Sequence, residues 1–295
     1  DLELQNLKAL VDRQRSDFRA EGEVTYSTRI DRLERLKALI VENKSEFATT
    51  TKREFNGARS YEFSLFSEYA SKVEAIDYTI KHLKDWMKPE KRKTNKPMNL
   101  LRGKSQVRYF PKGVVGIISP WNLPFGLTVS PLTSALAAGN RALLKPSEYV
   151  PETAALFAEV VPRYFSKDEV AVVTGGVDVS QKFAELPFDH LLFTGSTRVG
   201  AQVMQAASKN LVPVTLELGG KSPVIIGRRA KIELAGTRLT FGKLLNGGQL
   251  CLSPDYVLVP SELEEQLIAR VIHETQWIYP NITENTDYAG VINER

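Results

Sequence analysis

The stretch Val114-Val-Gly-Ile-Ile-Ser-Pro-Trp-Asn-Leu-Pro-Phe125 decides the architecture of this chain. Its first five residues are apolar or glycine with no polar interruption, which is how a short strand covered on both faces reads. Ser119 and Pro120 end the run, and a helical pattern follows over about 125–138. Four further runs of the same character come after it: Arg141-Ala-Leu-Leu144, Val170-Ala-Val-Val173, His190-Leu-Leu-Phe193 and Val214-Thr-Leu216. Helical stretches over about 152–165 and 197–209 lie between them. This alternation predicts an α/β fold, a doubly wound parallel sheet with right-handed crossovers. Sheets of this kind bind ligands beyond the carboxyl ends of their strands. Four chemically distinctive stretches fall at those ends: Ser119-Pro-Trp-Asn122, Lys145-Pro-Ser-Glu148, Thr194-Gly-Ser196 and Glu217-Leu-Gly219. That coincidence carries more weight than any one of the four.

Outward from the sheet, residues 1–96 read as helices. Leu4, Leu7, Leu10 and Val11 share a face, as do Ile30, Leu33, Leu36, Leu39 and Ile40 behind a cap expected at Ser27-Thr28. A third apolar face runs from about 60 to 87 through Phe63, Phe66, Tyr69, Val73, Ile76 and Leu83. Lys88-Pro-Glu-Lys-Arg-Lys93 reads as a solvated connector, and residues 97–111 as a hairpin arm suited to oligomerisation. The dinucleotide sheet is expected over 112–218. From 219 to 295 a second α/β catalytic domain begins: a strand at Pro223-Val-Ile-Ile226, a helix over 232–245, a strand at Tyr256-Val-Leu-Val259 and a helix over about 262–277.

Composition excludes several classes. With 42% hydrophobic and 25% charged residues the chain is of soluble globular type, and its length allows two cores. Lys+Arg exceed Asp+Glu by only 39 to 35, and no aromatic-studded basic stripe is present, so nucleic acid is not an expected partner. No apolar run approaches the ~20 residues of a membrane span. A single cysteine forms no internal disulfide, and the first residues lack the basic-then-apolar order of a signal peptide; a cytoplasmic home is expected.

That cysteine is the chemical centre. Cys251 closes the run Asn246-Gly-Gly-Gln-Leu-Cys251, where two glycines leave a thiol with little steric cover. Gly195-Ser-Thr-Arg-Val-Gly200 is a phosphate-binding turn in outline, although a plain strand–helix turn has the same spacing. Glu217 precedes a glycine-rich loop, and partial burial there would raise its pKa towards that of a general base. Asn122 offers a side-chain amide in a proline-held turn. Thiol, carboxylate, amide and dinucleotide cradle together point to oxidation of a carbonyl through a thioester. His82, His190 and His273 lack ligand spacing, so no metal site is expected.

Pro120-Trp-Asn-Leu-Pro-Phe125, Lys145-Pro-Ser-Glu148, Phe193-Thr-Gly-Ser-Thr197, Leu216-Glu-Leu-Gly-Gly-Lys221 and Gly248-Gln-Leu-Cys251 resemble, in order and spacing, the motifs of the aldehyde dehydrogenase superfamily. The likeness covers essentially the whole chain and is greatest with the class 3, fatty-aldehyde and coniferyl-aldehyde branch. It implies a variant Rossmann sheet and an NAD(P)-dependent oxidation of an aliphatic or aromatic aldehyde to the carboxylate. It makes Cys251 the nucleophile, Glu217 the base that activates water, and Asn122 an oxyanion donor. It places the cofactor among Ser119, Trp121, Lys145, Glu148, Gly195, Ser196, Val199, Leu218 and Gly219. Lys145 and Glu148 would meet the adenosine ribose, and the carboxylate favours NAD, with NADP possible. A homodimer or higher homo-oligomer is implied for the complete protein.

Two departures stand out. Leu250 occupies a position usually small, polar or otherwise variable in the family. The family chain also continues past Arg295, into a Glu-x-Phe-Gly-Pro motif and a C-terminal strand. Residues 1–295 alone are therefore expected to be poorly stable or associated, with Val257, Leu258 and Val259 uncovered. Two rival readings remain from the sequence: an acylating dehydrogenase in which coenzyme A takes the acyl group, and a non-catalytic dinucleotide-binding or partner-binding fragment.

Overall fold

The computed structural model describes residues 2–293. The N-terminal part is helical: α1 (Leu2–Glu21), α2 (Tyr26–Glu54), α3 (Tyr61–Ser64), a π-helical turn (Leu65–Ala70) and α4 (Ser71–Trp86). Leu33, Leu36, Leu39 and Ile40 are buried along one stripe of α2, as their spacing requires. The α2 cap is Thr25, not Ser27 or Thr28. Thr25 is extended and its Oγ1 accepts from Thr28 N at 3.2 Å, which puts Ser27 and Thr28 inside the first turn.

A two-stranded antiparallel ribbon follows, pairing β1 (Glu90–Arg92) with β2 (Ser105–Val107). The stretch expected as a solvated connector thus supplies one strand of the arm. A ribbon that buries neither face carries no apolar alternation, so its strands cannot be told from a charged loop.

The main sheet is built from β3 (Val114–Ile118), β4 (Arg141–Lys145), β5 (Val170–Val172), β6 (His190–Gly195) and β7 (Val214–Leu218). Between them run α5 (Gly126–Ala137), α6 (Pro151–Val160, extended by a 3₁₀ turn to Arg163), α7 (Val177–Ala184) and α8 (Thr197–Ser208). Helix α7 is short, and periodicity did not announce it. All strand pairs are parallel, in the order β5-β4-β3-β6-β7. Alternation along β3 feeds two cores. Val115 and Ile117 pack with α2, α5 and α6 residues such as Leu36, Leu132 and Phe157. Val114 and Ile118 pack with Leu7 and Val11 of α1, Phe183 of α7 and Val203 of α8. Helices therefore cover both faces, which is why the strand runs are continuously apolar.

Charge ties the helical layer to the sheet edge. Glu169, just before β5, accepts from Arg32 Nε at 3.0 Å and from Arg35 at 2.8 and 2.9 Å. Arg32 also holds Glu21 at 3.0 Å, and Arg141 binds Glu21 at 2.6 Å and Asp17. Burial pushes the Glu169 carboxyl up, but the hydrogen bonds and charges of Arg35 and Arg32 outweigh it and bring the pKa to about 2. A depressed carboxyl contributes stability above its unfolded pKa and loses it as pH falls through the folded value. We expect Glu169→Gln to cost about 3 kcal/mol at pH 7. The gap to the parent should shrink as pH falls from about 4.5 towards 2, measured by denaturant unfolding at each pH. A gap independent of pH would overturn the linkage.

Beyond β7 lie β8 (Ser222–Ile225), α9 (Ile232–Leu244), a 3₁₀ turn (Leu245–Gly248), β9 (Pro254–Leu258) and α10 (Ser261–Ile278). β8 and β9 pair in parallel and α10 packs on α9. Val257 and Val259, expected uncovered, are half-buried against Ile226, Ile232 and Leu267. Leu258, Tyr256 and Ile225 stand exposed on this small sheet, with Pro223 and Asp255.

Candidate active site

The strand order creates the crevice. From β3 the chain winds outward through β4 to β5, then returns to the other side of β3 as β6. β3 and β6 stay paired through Ile118 and Phe193, and it is the connections leaving their carboxyl ends that run to opposite sides, the topology that marks a switch point. Ser119 follows β3, with its N–H on Lys145 O at 3.2 Å and its buried hydroxyl accepting from Thr128 Oγ1 at 2.6 Å. It is committed to the turn itself. Trp121 is half-buried, its ring 6.4 Å from that of Phe55.

Lys145 ends β4 almost fully enclosed, donating to Pro146 O at 2.8 Å with the Glu148 carboxylate 4.0 Å away. Burial lowers its pKa, opposed by Glu148 and Asp178. A buried ammonium with one hydrogen bond has N–H groups to spare, and with the neighbouring carboxylate it suits paired hydroxyls. Glu148 does not cap α6. Glu54 does so from α2, accepting from Glu152 N at 2.6 Å.

At the end of β6, Gly195 has no room for a side chain, since a Cβ there would lie 2.5 Å from the Phe193 ring. Ser196 caps α8 by accepting from Val199 N at 3.3 Å. Ser196, Thr197 and Arg198 are exposed, so the first turn of α8 presents its free N–H groups to solvent. An open helix N-terminus after β6 and, across β3 at the end of β4, a buried lysine with a half-buried glutamate thus stand at the carboxyl edge of one sheet, the kind of groups that can hold phosphate and hydroxyls. Val199 and Leu218 lean on the core below, and Gly219 has open space on its side-chain side.

The thiol side is set by a sharp reversal. After α9, Asn246, Gly247 and Gly248 take φ of 51°, 64° and 74° in succession. Gly247 has no alternative, because a Cβ would meet Ala289 O at 2.7 Å; Asn246 is one of the few side chains that tolerates this region. The chain emerges with Cys251 exposed and free. Asn122 Nδ2 donates to Gln249 O at 2.9 Å, and Asn246 Nδ2 donates back to Asn122 O at 3.0 Å. The loop after β3 and the thiol loop are clasped together by two amides.

Glu217 lies on the edge strand β7, paired in register with Thr194. The partial burial expected of it is absent: it is exposed. Three residues on, Gly220 passes the thiol loop, where a Cβ would sit 3.9 Å from Cys251 O. Asn122, Cys251 and the loop that follows Glu217 therefore converge. Among the described residues no three His, Cys, Asp or Glu side chains gather as a metal would need. His190 Nε2 instead meets Thr215 Oγ1 at 2.9 Å. No helix among them is long and apolar enough to cross a membrane.

Residues 2–295 match the profile of the aldehyde dehydrogenase family. The chain belongs to the aldehyde dehydrogenase family. It is similar to the coniferyl aldehyde dehydrogenase of a Pseudomonas species, 42% identical over 291 residues, which is 99% of this chain and 60% of that protein. It is 35% identical to a mouse enzyme named dimeric NADP-preferring aldehyde dehydrogenase, across 99% of this chain and 64% of the relative. A substrate-bound Staphylococcus aureus AldH structure superposes with a TM-score of 0.91 at 35% identity, covering 97% of this chain and 62% of that one. The chain thus spans about three-fifths of the length of the relatives it matches. As an aldehyde dehydrogenase chain it carries the five motifs of the resemblance on the carboxyl ends of β3, β4, β6 and β7 and on the thiol loop. Three side chains that hydrogen-bond to the loop after β3 went unmarked in the sequence: the buried, ion-paired Arg59 and Glu68, on Asn122 O and on the Phe125 and Gly126 N–H groups, and Asn246, on Asn122 O. A carboxylate beside Tyr69 in an apolar helical run was the one signal available for Glu68, and nothing in the sequence marks Arg59.

Proposed function

We propose that the full-length protein oxidises an aliphatic or aromatic aldehyde to its carboxylate with NAD or NADP, through a thioester on Cys251. The observation that supports this most is the hydrogen bond from Asn122 Nδ2 to Gln249 O, which sets an amide donor two residues from an exposed thiol. Cys251 attacks the carbonyl carbon as the thiolate. The second N–H of the Asn122 amide and the Cys251 backbone N–H receive the oxyanion; one such donor is worth roughly 3 kcal/mol in the transition state. The nicotinamide, when bound, supplies the hydride acceptor. Once the acyl group is a thioester on Cys251, Glu217 takes a proton from water, the resulting hydroxide adds to the acyl carbon, and the thiolate leaves. Lys145, Glu148, Gly195, Ser196 and the open turn of α8 hold the cofactor, with Ser119, Trp121, Val199, Leu218 and Gly219 shaping its bed. Leu250 and the exposed Leu252 flank the thiol with apolar surface, in keeping with an apolar substrate.

We place the cofactor unit at 1–218, including the arm over 97–111, and the start of the catalytic unit at 219. Exposed Leu100, Leu101, Tyr109 and Phe110 on the arm suit a homo-oligomer, and the function assigned is cytoplasmic. The test is a panel of aldehydes supplied with NAD or NADP, with and without coenzyme A. Carboxylate formation without coenzyme A is expected. An absolute need for coenzyme A would assign the acylating reaction instead, and binding of dinucleotide without any oxidation would reduce the protein to a binding module.

A further inference from the structure

We infer that the buried Arg59–Glu68 ion pair is a positioning device for Asn122, setting its amide against the thiol loop. This rests on the reading of Asn122 as the oxyanion donor. The Arg59 side chain is fully enclosed and that of Glu68 is 1% exposed, with Arg59 NH2 on Glu68 Oε1 at 2.6 Å. An ion pair so desolvated is an unfavourable way to fill space, since apolar residues of similar volume serve stability as well or better. Its hydrogen bonds show what it holds. Glu68 Oε2 accepts from Phe125 N and Gly126 N, both at 3.0 Å. These open α5, which has no side-chain cap of its own. Arg59 NH1 reaches Asn122 O at 3.5 Å, and the guanidinium lies 4.6 Å over the ring of Phe55, which faces Trp121. The pair therefore grips residues 122–126 at both ends, with Pro124 stiffening the middle.

From the other side Asn246 holds the same carbonyl of Asn122 at 3.0 Å. Glu68 stands on the π-helical turn between α3 and α4. Glu68 and Tyr69 are both buried on this turn. Lys72 fills the last gap, its Cε 2.9 Å from where a Gly126 Cβ would be. The α3–α4 region thus sets where the amide points, although no residue of it touches the reacting atoms.

The experiment is a double-mutant cycle in the full-length protein, reading the rate of the first-turnover NADH burst, the Kd for NAD and the melting temperature. Glu68→Gln should slow the burst by up to about 10²-fold, the cost of a donor displaced by roughly 1 Å, and leave the Kd for NAD unchanged. In an Asn122→Ala background the same substitution should have no further effect, because it acts through Asn122. The paired replacement Arg59→Met with Glu68→Leu removes both charges together and should still show the slow burst, at a melting temperature lowered because the Phe125 and Gly126 N–H groups lose their acceptor. Equal slowing in both backgrounds, no slowing at all, or a normal burst in the apolar pair would each overturn the assignment. If these variants fail to fold, Arg59→Lys is read in the same cycle, since it keeps the charge and gives up the fork. A parent that oxidises no aldehyde overturns the function together with this assignment, whereas an active parent indifferent to Glu68→Gln overturns the assignment alone.

Discussion

Cys251→Ala in the full-length protein is expected to reduce aldehyde oxidation to background, a loss on the order of 10⁵-fold, because the proposed covalent step runs through this thiol. Cys251 is the single cysteine of this chain, and it stands exposed on a loop whose left-handed residues leave it uncovered. Cys251→Ser should do nearly as badly, since a hydroxyl with an ordinary pKa supplies almost no nucleophilic anion at neutral pH. Affinity for NAD, measured by titration without aldehyde, should stay as in the parent. The groups assigned to the adenosine and pyrophosphate lie at the ends of β4 and β6, on elements that do not include the thiol loop. Substantial turnover by the alanine variant would remove the covalent mechanism.

Glu217→Gln should separate the two halves of the reaction. A positioned general base contributes typically 10²–10⁴-fold, and in the proposed reaction it is needed for water and not for loss of hydride. Steady-state turnover is expected to fall roughly 10²–10³-fold, while a rapid burst of NADH of about one equivalent per site survives. Glu217 is exposed on the edge strand β7, and the loop behind it runs through Gly219 and Gly220, where nothing crowds the backbone. That exposure and open backbone are what the proposed step asks of Glu217, which must reach the thioester after hydride transfer. A burst that shrinks in rate with the steady state would place Glu217 before hydride loss, as the base that ionises Cys251. The same two measurements set this residue apart from Glu68, for which the burst itself should slow.

Much of the architecture was legible because both faces of the main sheet are buried. Five short apolar runs can hardly be anything other than covered strands, and the helices between them leave only parallel crossovers. The four motifs stand at the carboxyl ends of β3, β4, β6 and β7, as the apolar runs before them imply, and the helix pattern of α2 gave its buried stripe. The ribbon of β1 and β2 was hidden because it buries neither face, and the eight-residue α7 because it is too short for its periodicity to stand out.

The residues themselves determined the chemistry available: one thiol behind two glycines, a carboxylate before a glycine loop, an amide between prolines. Only the tertiary structure decided how these meet. The clasp of Asn122 and Asn246 joins residues 124 positions apart, and Arg59 and Glu68 reach Asn122 and the start of α5 from 63 and 57 positions away. No local pattern encodes such contacts, because a buried ion pair leaves no periodicity and a single positive φ at Asn246 has no sequence rule beyond tolerance. The exposure of Glu217 was likewise settled by strand order: β7 is the outermost strand of its sheet, and an edge strand takes its burial from what packs beside it.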